Sequence, residues 1–465
     1  MENQIKSVYF LGIGGIGMSA IARYYLHSGI RVGGYDRTET PLTRALETEG
    51  ASIHYDDDTA RIGQEFRDIN STLVVYTPAI PKDHRELNWF RENGFKLLKR
   101  SEILGILSHG KYVMAVAGTH GKTTTTTIAA WLNHVAQTGS SAFLGGISKN
   151  FNSNFVYSSG EIVTVEADEF DRSFLHLEPN AAVITSTDAD HLDIYGNHDE
   201  LLQAFAQFAD RIKPGGTLIL KKGLTLPVNN NDIRIFTYAC GEEADFYAAE
   251  LKNLWDGCYE FDMVFPDRRV TGCRTGVPGV VNVENAVAAA ALLWTVGIED
   301  DALRKGLASF SGVKRRFDIH INKPNLTYMD DYAHHPAELR AAITSIRKMF
   351  PDRRITAAFQ PHLYTRTRDF YQGFAESLSL ADEVILLPIY PARELPIEGV
   401  SSEMIGKLLT VPYTMSTLDR LPETVAEHHP DIMITFGAGS IDTQIEKITA
   451  RLDPQCVTRK ANPQN

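Results

Sequence analysis

Val113-Met-Ala-Val-Ala-Gly118-Thr119-His120-Gly121-Lys122-Thr123-Thr124 is the stretch on which the reading of this chain turns. The apolar run Val113 to Ala117 predicts a buried parallel strand, and Thr123 to Trp131 predicts a helix that starts at the glycine-bearing turn. That order is the layout of a phosphate loop, in which backbone N–H groups and a helix N-terminus face an anion and a lysine adds a point charge. The general pattern is G-x-x-x-x-G-K-[ST]. Here Val116 stands at the first glycine position and Gly118 gives a tighter G-x-x-G-K-T. An ordinary strand-to-helix turn is the alternative, but strand, Gly-x-x-Gly, Lys-Thr and helix all coincide. Thr123 to Thr127 are β-branched and poor helix material, so hydroxyls near the first turn are expected to serve phosphate or metal.

Working outward, Ile162 to Glu169 reads as a second core strand ending in Glu166, Asp168 and Glu169. Acids at that end, beside a phosphate loop, are placed to hold Mg²⁺; a solvated acidic loop is the plain alternative. Ala181 to Thr187 is a third strand, followed by Asp188-Ala-Asp190-His191-Leu-Asp193, which puts His191 in position for phosphate or metal. Leu201 to Ile212 reads as an amphipathic helix, and residues 217 to 275 as peripheral strands. Asn282 and Asn285 share one face near the start of an alanine-rich helix; they read a base edge or cap the helix.

On the N-terminal side, Ser7 to Leu11 predicts a strand, Gly12-Ile-Gly14-Gly15-Ile-Gly17 a tight turn into a helix, and Arg31 to Tyr35 a strand ending in Asp36. This is a Rossmann-type unit that lets a diphosphate approach the backbone. Asp36 either holds a ribose hydroxyl or caps a turn. Lys99-Arg100-Ser101-Glu102 begins a helix that leads to the first boundary. On the C-terminal side, strands from Leu326, Ile355, Glu383 and Ile432 each run into a loop and a helix, which predicts another doubly wound sheet. Its carboxyl edge collects His334, His335, His362, Arg366 and Arg368, an expected anion or carboxylate site.

The chain of 465 residues suggests about three domains. They are placed at 1–107 (Rossmann-like), 108–312 (a P-loop ATPase-type mixed or parallel sheet) and 313–465 (Rossmann-like), an α/β chain throughout. Hydrophobic content of 43% and charged content of 22% are those of a soluble globular protein. A net charge of −12 argues against nucleic acid as a partner. Four scattered cysteines, Cys240, Cys258, Cys273 and Cys456, fit a reducing cytoplasm. No run approaches the ~20 apolar residues of a membrane helix.

Taken in order, the Rossmann-type unit, G-T-H-G-K-T-T, E-A-D-E, D-A-D-H, G-x-x-N-x-x-N, K-R-R-F-D and D-D-Y-A-H-H-P resemble the Mur ligase family over nearly the whole chain. The resemblance implies an ATP- and Mg²⁺-dependent amide ligase of peptidoglycan precursor synthesis that adds L-alanine to UDP-N-acetylmuramate through an acyl phosphate. It implies that Gly118, Thr119, His120, Gly121, Lys122, Thr123 and Thr124 hold ATP phosphates, with Asn282 and Asn285 by the adenine. Arg316 and Asp331 would reach ATP from the third domain. Thr123, Glu166 and His191 would hold metal. Gly12, Gly14, Gly15, Gly17 and Asp36 would take the UDP sugar; Tyr332, His334 and Arg366 would line the amino-acid site. Lys122, Glu166, His191, His334 and Arg366 would be the catalytic set. The expected state is a cytoplasmic monomer or weak homodimer without membrane insertion. Against the family pattern, Val281 replaces a histidine, Leu363 stands where some relatives have arginine, and Thr77-Pro78-Ala79-Ile80 replaces S-S-A-I. Three rivals remain: a recycling ligase that adds a whole tripeptide to the same nucleotide; an NAD(P)-dependent oxidoreductase, which leaves the phosphate loop unexplained; and an NTPase-driven binding or motor protein, which leaves the N-terminal glycine turn and the His/Arg edge of the third domain unexplained.

Overall fold

The computed structural model describes residues 5–188, 195–392 and 394–454. Three sheets follow one another along the chain. The first two lie in one compact unit, and the third, with residues 312 onward, lies in another. Among the described residues no helix is long and apolar enough to cross a membrane.

The first sheet has the order β3-β2-β1-β4-β5, all parallel. Its strands are β1 (Ser7–Leu11), β2 (Arg31–Tyr35), β3 (Ser52–His54), β4 (Thr72–Tyr76) and β5 (Leu97–Lys99). The central strand β1 is buried along its whole length, as an apolar run covered on both faces must be. Its carboxyl end runs through Gly12 to Gly15 into helix α1 (Ile16–His27). Helices α2 (Pro41–Thr48), α3 (Arg85–Glu92) and α4 (Arg100–Ser108) complete this layer, α4 beginning at the end of β5.

The second sheet has ten strands. Its centre is β6 (Tyr112–Ala117), parallel to β9 (Ile162–Glu166) on one side and to β10 (Ala181–Ile184) on the other. Val113 to Ala117 are at most 1% exposed, which explains the unbroken apolar run. Helix α5 (Lys122–Val135) leaves the turn after β6. The strands expected as peripheral extend the sheet from β10 outward, from Thr217–Lys221 to Arg269–Arg274, and the last pair is antiparallel. The acid-bearing strand is shorter than its sequence suggests: β9 stops at Glu166, leaving Asp168 and Glu169 in the segment that follows.

The third sheet has six strands, five of them parallel to their neighbours and one antiparallel at the edge. The four strands expected from sequence are present, at Leu326–Asp331, Ile355–Phe359, Glu383–Leu386 and Ile432–Phe436. The structure adds Asp318–Lys323 and Tyr413–Met415, whose short or charged sequences carry little strand signal. Asp330 and Asp331, expected in a loop, are the last two residues of a strand.

Candidate active site

The turn between β6 and α5 takes its shape from two glycines. Gly118 has φ 128° and Gly121 has φ 81°, a region L side chains avoid. A Cβ on Gly118 would lie 2.2 Å from Thr185 Oγ1, and one on Gly121 would lie 2.9 Å from Asn285 Oδ1. The loop is thus wedged between the end of β10 and the asparagine helix, with no room for a side chain. Its underside is held by hydroxyls: the Thr185 hydroxyl donates to Ala117 O at 3.1 Å, and the His120 N–H donates to Ser186 Oγ at 2.8 Å. Thr119 and Ser186 share a 2.7 Å hydroxyl pair. Thr185 and Ser186 carry no motif, so sequence reading passes over them.

Lys122 Nζ donates to Gly118 O at 2.6 Å and to Glu169 Oε1 at 2.8 Å. Glu169 is fully buried, and burial raises its pKa while the lysine charge opposes the rise. A lysine folded back onto its own loop closes the turn around the space its backbone amides face, and it keeps a third N–H for an anion there. Thr123 Oγ1 donates to Glu166 Oε1 at 3.1 Å, and Gly145 N donates to Glu166 Oε2 at 3.2 Å. A Cβ on Gly145 would come within 2.3 Å of that oxygen, so the glycine makes room for the carboxylate. One hydroxyl and one carboxylate are hard oxygen donors suited to Mg²⁺, which takes few protein ligands and completes its shell with phosphate and water. Among the described residues no group of three or more His, Cys, Asp or Glu could hold a metal ion. The third metal-binding candidate, His191, lies outside the described residues.

Further along the helix the threonine run turns inward. Thr126 and Thr127 donate back to the carbonyls of Lys122 and Thr123, at 2.8 and 2.6 Å. Thr125 donates to Asn285 Oδ1 at 3.2 Å. Three of the five hydroxyls therefore serve the helix and its neighbour, as mid-helix threonines do, and Thr123 is the one that meets an acid. Asn285 in turn donates to Asn282 Oδ1 at 3.4 Å. Asn285 is thereby placed against Gly121 and Thr125, at the base of the phosphate loop.

In the first sheet, Gly12 has φ 88°, and the side chain of Asp36 folds back onto the turn. Gly14 N donates to Asp36 Oδ2 at 2.7 Å, and Thr38 N to Oδ1 at 3.3 Å. Asp36 thus caps backbone on both oxygens. Gly17, in the first turn of α1, is covered by Arg100: a Cβ there would lie 2.6 Å from Arg100 Nη1.

The third sheet forms its own cluster. Asp331 is buried, and its two oxygens accept from Phe317 N at 2.8 Å and Ala333 N at 2.9 Å. Burial raises its pKa and the charge of Arg316 opposes the rise. It therefore ties the K-R-R-F-D segment to the strand end. Arg315 and Arg316 both lie over the Tyr332 ring, at 4.9 and 5.6 Å from its centroid. His334 Nδ1 is 3.0 Å from Tyr332 O, and its ring stands 6.2 Å from that of His362. Burial pushes the His334 pKa down, with the charges of Arg366 and Arg316 adding to the effect and Glu338 opposing it. Burial and the neighbouring cations therefore disfavour the imidazolium form. Tyr332, His334 and Arg366 thus belong to one neighbourhood. Leu363 has φ 71°, and its N–H donates to Tyr390 O at 2.9 Å; strain of this kind concentrates at functional loops.

Residues 7–112 match the model of the Mur ligase family catalytic domain, 116–293 the Mur ligase middle domain, and 315–439 the Mur ligase glutamate ligase domain. A UDP-N-acetylmuramate–L-alanine ligase of Phocaeicola vulgatus is 49% identical over 97% of this chain and 99% of its own length. One of Parabacteroides distasonis is 48% identical over 96% and 97%. Among solved structures, the UDP-N-acetylmuramate-alanine ligase MurC of Thermotoga maritima superposes with a TM-score of 0.80 at 27% identity, covering 97% of this chain and 99% of that one. With three domains matched in order and relatives aligned along nearly the full length, this protein belongs to the Mur ligase family.

Proposed function

We propose that this protein is an ATP-dependent ligase that joins L-alanine to the carboxylate of UDP-N-acetylmuramate, a step in making peptidoglycan precursors. The observation that carries the reading is the Lys122 loop, with Thr123 and Glu166 beside it, in a chain 49% identical to a relative that bears that name. In this reading residues 1–107 take the UDP sugar, 108–312 take ATP and 313–465 take the amino acid.

Joining a carboxylate to an amine is uphill in water, so the carboxylate must first be activated. Its oxygen attacks the γ-phosphorus of ATP, the bond to the bridging oxygen breaks, and ADP leaves. The alanine amine then attacks the acyl phosphate carbon, loses a proton, and the tetrahedral intermediate expels inorganic phosphate. Two anions meet in the first step, so the main catalytic task is to offset their repulsion. Lys122 and the amides of residues 121 to 124, where the helix begins, hold the β- and γ-phosphates. Thr123 and Glu166, with His191, would hold Mg²⁺, which when bound supplies further positive charge to those phosphates. Asn282 and Asn285 shape the nucleotide side of the loop; Arg316, on the segment that Asp331 fixes, adds a cation. The glycines 12, 14, 15 and 17, with Asp36 bracing their turn, receive the diphosphate of the sugar nucleotide. Tyr332, His334 and Arg366 receive alanine: Arg366 meets its carboxylate, and His334 is the candidate base for its amine proton.

The test is phosphate release from ATP with each substrate left out in turn. Release that requires both UDP-N-acetylmuramate and L-alanine is expected. Release without the sugar nucleotide, or release with a tripeptide and not with alanine, overturns the reading.

A further inference from the structure

We infer that Arg100 is the cation that receives the diphosphate of the sugar nucleotide, and that Asp168 occupies its guanidinium until that anion arrives. This assignment rests on the reading of the Gly12–Gly17 turn as the diphosphate site.

Arg100 is the first residue of α4, placed by β5 at the same sheet edge as the glycine turn. Its side chain lies across Gly17. A Cβ at that position would be 2.6 Å from Nη1, 2.9 Å from Cδ and 3.2 Å from Cζ, so the glycine is the seat on which the guanidinium rests. The turn itself is short of positive charge. Asp36 accepts the Gly14 N–H at 2.7 Å, and a Cβ on Gly14 would come within 2.8 Å of the same carboxylate oxygen. A diphosphate brought to this turn would lie beside that fixed negative charge, and the backbone amides that remain must be helped by a cation. A guanidinium presents paired N–H donors whose spacing matches phosphate oxygens.

The present partner of Arg100 is suited to exchange. Nη2 donates to Asp168 Oδ2 at 2.9 Å, with the two side chains 25% and 34% exposed. Ion pairs with this much solvent access hold weakly, and a diphosphate offers more charge than one carboxylate. The next cation repeats the arrangement: Lys99 Nζ meets Asp171 Oδ2 at 2.9 Å. Both acids come from one short segment, in which Asp171 and Arg172 stand at φ 53° and 54°. Two successive non-glycine residues in the left-handed region make a strained turn of the kind found at sites that rearrange.

The experiment is calorimetric titration of UDP-N-acetylmuramate, UDP and uridine into the full-length protein without ATP, using wild type, Arg100→Ala, Arg100→Lys and Asp168→Asn. Loss of one charge-assisted contact is expected to weaken UDP-N-acetylmuramate and UDP by about tenfold or more in Arg100→Ala, less in Arg100→Lys, with uridine unchanged. Asp168→Asn removes the competitor and is expected to tighten both diphosphates. A purely structural pair predicts the opposite pattern, because both substitutions break the same contact and would weaken every ligand alike. That pattern, or a diphosphate affinity unchanged in Arg100→Ala, overturns the assignment. Weakening in Arg100→Ala with no change in Asp168→Asn keeps Arg100 as the ligand and overturns the role of Asp168. Wild type that binds none of the three overturns the proposed function itself.

Discussion

Lys122 has three N–H donors, and two of them are spent inside the protein, on Gly118 O and Glu169. The lysine therefore has a structural task besides the catalytic one proposed for it. Lys122→Ala is expected to lower turnover by about 10²–10³, the usual effect of losing one preorganised charge contact. It also removes the cation beside a buried carboxylate, at a cost of about 3–5 kcal/mol in stability. Lys122→Ala with Glu169→Gln should recover much of the melting temperature and none of the turnover; recovery of neither would show that Glu169 is not what the lysine neutralises. This partnership was not legible in the sequence. Asp168, Glu169 and Asp171 look alike along the chain, and only the path of the backbone after β9 turns one of them inward. A second buried acid gives a pH test. Glu86 accepts from Tyr9 Oη at 2.7 Å and is fully buried, and burial pushes its pKa up to about 7. A carboxyl whose folded pKa is raised binds its proton more tightly when folded. Its cost to stability is absent below the unfolded value near 4.5, grows as pH rises, and is complete above about 7. Glu86→Gln should thus match wild type near pH 4 and exceed it by up to about 3 kcal/mol near pH 8. Equal melting temperatures at both pH values would exclude a buried charged Glu86.

At the scale of the element, the phosphate loop works because strand, turn and helix each constrain the next. β6 is apolar on both faces, so it must be central, and its carboxyl end then faces the edge where such sheets bind ligands. The turn needs positive φ at Gly118 and Gly121. Gly118→Ala should cost about 1–2 kcal/mol from backbone conformation alone, with more from the contact to Thr185, and should raise the KM for ATP. An alanine variant with unchanged melting temperature and KM would mean the loop is not held as tightly as its contacts indicate. These features were readable in advance because they are local, spaced along a dozen residues. The threonine run was readable only in part: its β-branching is visible, but whether a hydroxyl turns to a ligand or back to a carbonyl depends on which helix face is covered. The same applies to Asp36, whose position at the end of β2 was clear and whose turn back onto Gly14 was not.

For the whole molecule, the chain holds two compact units, one with the first two sheets and one with the third. Each sheet has its own apolar strands, and the unit with the third sheet packs its core on both sheet faces around Phe359, Phe374, Ile434 and Met433, all fully buried. A unit with its own core can in principle fold, and unfold, by itself. Two thermal transitions are expected. ATP at about 100 times its dissociation constant should stabilise the unit carrying the phosphate loop by about 2.7 kcal/mol. A single transition shifted as a whole by ATP would show that the units unfold together. The sequence by itself determined the α/β class, the central strands, the phosphate loop with its lysine, the glycine turn and the order of motifs that marks the family. Those follow from periodicity, glycine conformation and spacing, which act over short distances. Tertiary structure alone decided that Glu169 sits against Lys122, that Arg100 lies on Gly17 with Asp168 as its partner, and that Asp331 ties down its neighbours' amides. Each of these depends on side chains brought together across strands, where the direction of a single Cβ separates a buried partner from a solvated charge.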